Sequence, residues 1–166
     1  MMDTQALAAA TAVMAVLMLL AAWFDLKSLR IPNWCVIAVV VLFFVTGLWG
    51  LPLDVFAWRV LAGVIVLFVG FGLYSISGGH VGGGDIKLIA ALTPFIAGPD
   101  VGFVLIVFAL LSFAGLVVRA LVRALLRDRK TGWQALDQKR FFPVGLLLGG
   151  TIMIYLGAEL AGRYAA

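Results

Sequence analysis

Between Gln5 and Phe24 the chain runs for twenty residues without a charge. In hydrocarbon, a stretch of that length can satisfy its own backbone only by forming a helix. The pattern recurs. Apolar segments run from about Trp34 to Trp49, Val55 to Ile76, Val101 to Val118 and Phe141 to Ala158, with a shorter piece from Ile86 to about Ala97 that contains Pro94. Hydrophobic residues make up 64% of the 166 and charged residues 12%, with a mean hydropathy of +1.17. Such usage is far from that of a soluble domain. The expected fold is all-α, a bundle of six transmembrane helices, with residues 1–166 forming a single membrane-embedded domain. The opening MMDTQ carries no Lys or Arg and the apolar run after it is longer than a signal-peptide core, so the first segment is read as a retained span.

An isoelectric point near 9.6 raises the question of nucleic acid, and the placement of the basic residues answers it. Ten of the twelve fall in the first, third and fifth loops: Lys27 and Arg30, then Lys87, then Arg119, Arg123, Arg127, Arg129, Lys130, Lys139 and Arg140. Only Arg59 and Arg163 lie on the other side. By the positive-inside rule, the odd-numbered loops are cytoplasmic and both termini are outside. No nucleic-acid partner is expected. Arg119, Arg123 and Arg127 recur every fourth residue on one helical face, which suits anionic lipid headgroups. Arg59 is read as snorkelling toward headgroups from a helix end.

Against this apolar background, residues 78–88 read GGHVGGGDIKL. The tract lacks the Lys and hydroxyl of a phosphate-binding loop, and no register places three glycines as a dinucleotide fingerprint requires. His80 is the only histidine, so a two-histidine zinc site is excluded, and Gly-x-Ser-x-Gly is absent. Cys35 is the single cysteine and is read as apolar filler. No metal and no cofactor is expected. Of eight acids, Asp25 and Asp85 alone sit at cytoplasmic ends of apolar spans. Glycines before Asp85 allow close backbone approach and positive φ. Two nearby carboxyls can share one proton, the ionised member activating water and the protonated one polarising a carbonyl.

Gly82-Gly83-Gly84-Asp85 is a G-x-G-D motif followed by Ile86-Lys87-Leu88, and Asp25-Leu26-Lys27-Ser28-Leu29-Arg30-Ile31-Pro32-Asn33 is an aspartate box ending in Ile-Pro-Asn. Together, in this order and on one side of six spans, they resemble the type IV prepilin peptidases, membrane aspartyl proteases of the G-x-G-D class. The short bacterial form linked to tight-adherence (Flp) pili is the nearest in pattern. The resemblance implies that Asp25 and Asp85 are the catalytic pair and that Gly82, Gly83, Gly84 and Lys87 shape the active-site loop; Lys87 itself is read either as holding a carboxylate or a headgroup or as a plain topology charge. It implies prepilin or pseudopilin substrates, cut behind a short basic leader at the cytoplasmic face of the bacterial inner membrane, beside the pilus assembly machinery. Long members add an N-terminal domain with paired C-x-x-C motifs and also N-methylate. This chain shows no such domain, so the resemblance carries cleavage and not methylation. Phe141-Phe142-Pro143-Val144-Gly145 departs from the Pro-Tyr-Gly-like turn of the relatives, and no role is assigned to Pro143 or Gly145.

Two readings from other classes use the same residues. A small proton- or cation-coupled transporter subunit would employ Asp25 and Asp85 as ion sites. A non-catalytic assembly factor would tolerate their replacement.

Overall fold

Lipid cannot hydrogen-bond to a peptide group, so each apolar segment closes its own backbone ladder. The result is six helices among the residues that the computed structural model describes, which are 2–76, 82–126 and 143–165. They are α1 (Thr4–Ser28), α2 (Asn33–Gly50), α3 (Leu53–Ile76), α4 (Gly83–Leu92), α5 (Val101–Leu126) and α6 (Val144–Ala165). Single 3-10 turns at Thr93–Phe95 and Gly98–Asp100 join α4 to α5. No strand occurs among the described residues. His80, the basic residues from Arg127 to Arg140, Phe141 and Phe142 lie outside them, as does the side chain of Arg123.

Five of these helices are long and apolar enough to cross a membrane. At ten residues, α4 is about 15 Å long, half the hydrocarbon thickness. The expected fourth span is thus a half-length helix completed by the two 3-10 turns. Irregular backbone of this kind persists at membrane depth only where protein surrounds it. Here Arg59 supplies the cover. Its guanidinium donates to the carbonyls of Pro94 and Phe95, each at 3.3 Å, satisfying oxygens of the 3-10 turn that follows α4. Arg59 therefore faces the bundle interior, which corrects the expectation that it snorkels to headgroups.

Helix α1 is central, packed against α6 and α2, while α3 packs on α4 and α5 on α6. Met14, Val39, Phe43, Leu88, Ile152 and Leu156 are fully buried between them. Phe43 stacks on Phe56 at 5.4 Å and meets Phe95 edge-on at 5.2 Å. In a bilayer, helices associate through close fit rather than expulsion of water, and Gly63 provides that fit for α3 on α4. A Cβ there would lie 3.0 Å from the Ala90 carbonyl oxygen and 2.9 Å from Pro94 Cγ.

Asp3 N–H donates to Gly50 O at 2.7 Å, and the Arg163 guanidinium donates to the carbonyl of Met2. The residues near the two chain ends and the α2–α3 turn therefore share one end of the bundle. The opposite end is formed by the last turn of α1, the Leu29–Pro32 connection, the start of α4 and the start of α6. Helix α1 continues past the uncharged run, through Asp25 and Lys27, to Ser28. Ser28 Oγ donates to Phe24 O at 2.8 Å and the helix runs on to Leu29, whose φ of 51° makes it the one non-glycine residue with positive φ among those described. Asp25 consequently sits within a helix, three residues before its end.

Candidate active site

Asp25 belongs to the last turn of α1 and is only 4% exposed. A carboxylate so buried needs donors, and they come from the start of α6. Gly145 N–H donates to Asp25 Oδ2 at 2.7 Å and Leu146 N–H to the same oxygen at 3.4 Å. These are among the N–H groups that the first turn of any helix leaves without an internal partner, at the positive end of its dipole. Pro143, which has no N–H to offer, is buried immediately before Val144 and starts the helix there. Gly145 is required sterically as well. A Cβ on it would stand 2.9 Å from both Asp25 Oδ2 and Ile31 Cδ1.

Asp85 lies in the first turn of α4, held by N–H bonds from Asp85 and Ile86 back to Gly82 O at 3.1 and 3.2 Å. Its carboxyl folds over Gly82, where a Cβ would come within 2.5 Å of Asp85 Oδ2. Any side chain at position 82 would turn that carboxyl away. The other two glycines of the motif are less constrained. A Cβ at Gly84 would meet Ile31 at an ordinary 3.6 Å, and one at Gly83 only the ring of Tyr74 at 3.9 Å. Gly82 has φ of −65°, and Gly83 and Gly84 are helical, so the expected positive φ is not found at these three positions. Close approach at Gly82 is what the motif supplies. Lys87 is also helical rather than in a loop, and its Nζ donates to Asn33 Oδ1 at 3.2 Å. The expected carboxylate or headgroup contact is replaced by a tie between α4 and the start of α2.

Ile31 lies against both Gly84 and Gly145, so the α1–α2 connection links the two carboxyl-bearing turns. Asp85 stands outside the five spanning helices, and burial first, then the charge of Asp25, push its pKa up to about 6. Like charges this near resist joint ionisation. Among the described residues, no group of three His, Cys, Asp or Glu is placed to hold a metal ion. Gly145 and Leu146 are the site residues that reading the sequence missed. The available signal was Pro143 two residues before a glycine at the mouth of an apolar segment, which marks a helix start with exposed N–H groups.

Fold and site define a multi-pass helical membrane protein with two carboxyls gathered at one end of its bundle. The chain belongs to the type IV leader peptidase family, a model of which matches residues 12–120 and so takes in both aspartates. No curated protein and no solved structure matches the chain. Membership makes the protein a membrane-embedded peptidase.

Proposed function

We propose that residues 1–166 act as one membrane-embedded aspartyl endopeptidase, removing the short basic leader from type IV, Flp-like prepilins at the cytoplasmic face of the bacterial inner membrane. The observation that carries this reading is the gathering of the Asp25 and Asp85 turns at one end of the bundle, joined through Ile31, with Asp25 held by two α6 N–H groups. Asp25, whose Oδ2 accepts both donors, is assigned the role of base. Asp85, raised to about 6, is then the member that keeps the shared proton.

Asp25 takes a proton from water as the oxygen attacks the scissile carbonyl carbon, and Asp85 gives its proton to the carbonyl oxygen. In the collapse of the resulting diol, Asp25 delivers its proton to the departing amide nitrogen as the C–N bond breaks. Asp85 recovers a proton from a diol hydroxyl, restoring the starting state. No step calls for a metal or a cofactor. The cytoplasmic placement of the aspartate end rests on the ten-to-two distribution of Lys and Arg.

The test is cleavage of a purified prepilin by the purified protein in detergent, with the products weighed by mass spectrometry and a chelator present throughout. A single cut behind the basic leader is expected. Absence of cleavage, together with proton- or cation-driven flux in vesicles, would replace this reading with a transporter.

A further inference from the structure

Exposed tryptophan and tyrosine on a membrane protein settle at the headgroup level, where the ring is apolar and its N–H or O–H stays wet. Three such residues, Trp23, Trp34 and Tyr74, lie at the carboxyl end of the bundle. Trp23 precedes Asp25 by two residues on α1. Trp34 meets Phe24 edge-on at 6.0 Å, and its neighbour Asn33 accepts from Lys87. The ring of Tyr74 would touch a Cβ on Gly83 at 3.9 Å. Lys27 and Arg30 are exposed at the same end and suit anionic headgroups. This aromatic belt is therefore level with the two aspartate turns.

The opposite belt comes too soon. Trp49 on α2 and Trp58 on α3 are exposed near the other end. Fifteen residues separate Trp34 from Trp49, and sixteen separate Trp58 from Tyr74, so the belts stand about 22–24 Å apart along both helices. The uncharged part of α6, Val144 to Ala158, is about 21 Å long. A typical hydrocarbon core is about 30 Å thick, and tilting these helices only shortens their reach along the membrane normal. The longer uncharged run of α5, about 26 Å from Val101 to Val118, enters the same slab by tilting. With both belts fixed on rigid helices, the lipid must adjust. We propose that the protein thins the bilayer beside α2 and α3 to about 23 Å of hydrocarbon, which brings headgroups and water to the level of Asp25 and Asp85. The partner is a lipid layer thinner than usual, and the surface that meets it is the exposed flank of α2 and α3. The thinning follows from membrane embedding alone, and only its effect on cleavage rests on the peptidase reading.

Two measurements test it. One uses variants that keep Trp34 or Trp49 as the sole tryptophan, the others replaced by Phe, in bilayers of eighteen-carbon lipid. A spin label at the headgroup should quench both fluorophores more than a label at mid-chain, and stronger mid-chain quenching of either overturns the proposal. The other follows prepilin cleavage in vesicles of constant headgroup composition, with chains from fourteen to twenty-two carbons. The rate should be highest at fourteen or sixteen and fall roughly threefold or more by twenty-two. Leu53→Trp combined with Trp49→Leu and Trp58→Leu moves the outer belt to about 31 Å from Tyr74 and should shift the optimum to longer chains. Equal rates across the series, or an unshifted optimum in that variant, overturn the proposal while leaving the peptidase reading intact. If wild-type protein cleaves in no bilayer, the peptidase reading fails and the quenching still decides the thinning.

Discussion

Replacing Gly145 by Ala would add a single methyl group at the point where α6 meets Asp25. The new Cβ would stand 2.9 Å from Asp25 Oδ2, 3.2 Å from Asp25 Cγ and 2.9 Å from Ile31 Cδ1. These are flexible tips, so the carboxyl yields rather than the backbone. In yielding it loses the 2.7 Å bond from Gly145 N–H. A hydrogen bond to a charged group is worth about 1.5–3 kcal/mol, and at 1.36 kcal/mol per tenfold the expected loss in kcat/KM is roughly 10- to 150-fold. A buried carboxylate deprived of a donor also costs stability, so the unfolding midpoint is measured beside the rate to separate the two effects. Gly157→Ala, in the same helix with nothing within 4 Å of the added methyl, is the control and should retain full activity. The assay is prepilin cleavage at matched expression, with thermal unfolding of both variants in detergent. A change of less than about threefold in Gly145→Ala, roughly 0.7 kcal/mol, would refute the role given to the α6 N–H groups.

Further outcomes follow from the same structure. On the proposed mechanism Asp85 must keep its proton to act, and its pKa is raised to about 6, so cleavage should fall as pH rises through that value; initial rates that climb steadily into alkaline pH would contradict this. Gly63→Val should destabilise the protein by about 1–3 kcal/mol, since the Ala90 carbonyl in its path is backbone, and an unchanged unfolding midpoint would count against the α3–α4 packing. With Cys35 fully buried, cysteine at Ser28 should be labelled in intact cells only by membrane-permeant reagents and cysteine at Tyr164 also by impermeant ones; the reverse pattern would invert the orientation.

The spans were legible because the bilayer leaves an apolar segment one way to satisfy its backbone, and α2 and α3 fall within a residue or two of their hydropathic limits. Helix ends were less legible. Asp25, Lys27 and Ser28 look like a stop, but at an interface polar residues can remain helical, and the terminator is Leu29 in a conformation its side chain does not advertise. Arg119 likewise lies inside α5, which extends to Leu126. The aspartates stood out because ionisable residues at the ends of apolar spans are costly and few. Their supports did not. Gly145 bonds to Asp25 across 120 residues of sequence, and Arg59 bonds to Pro94 and Phe95 across 35 and 36. Contacts of that separation leave no periodic trace. The glycine tract suggested conformational freedom, whereas Gly82 serves by leaving space for the Asp85 carboxyl.

The central claim is that Asp25 and Asp85 act as one proton-sharing pair, and its most direct measurement is cleavage by the Asp25→Asn and Asp85→Asn proteins. Asparagine keeps the shape of each side chain but can neither supply a carboxylate nor carry the shared proton. Purified variants with wild-type elution and unfolding behaviour should give no leader-free product at any pH. A loss smaller than about 100-fold in either one, the least that a positioned acid or base contributes, would contradict the account.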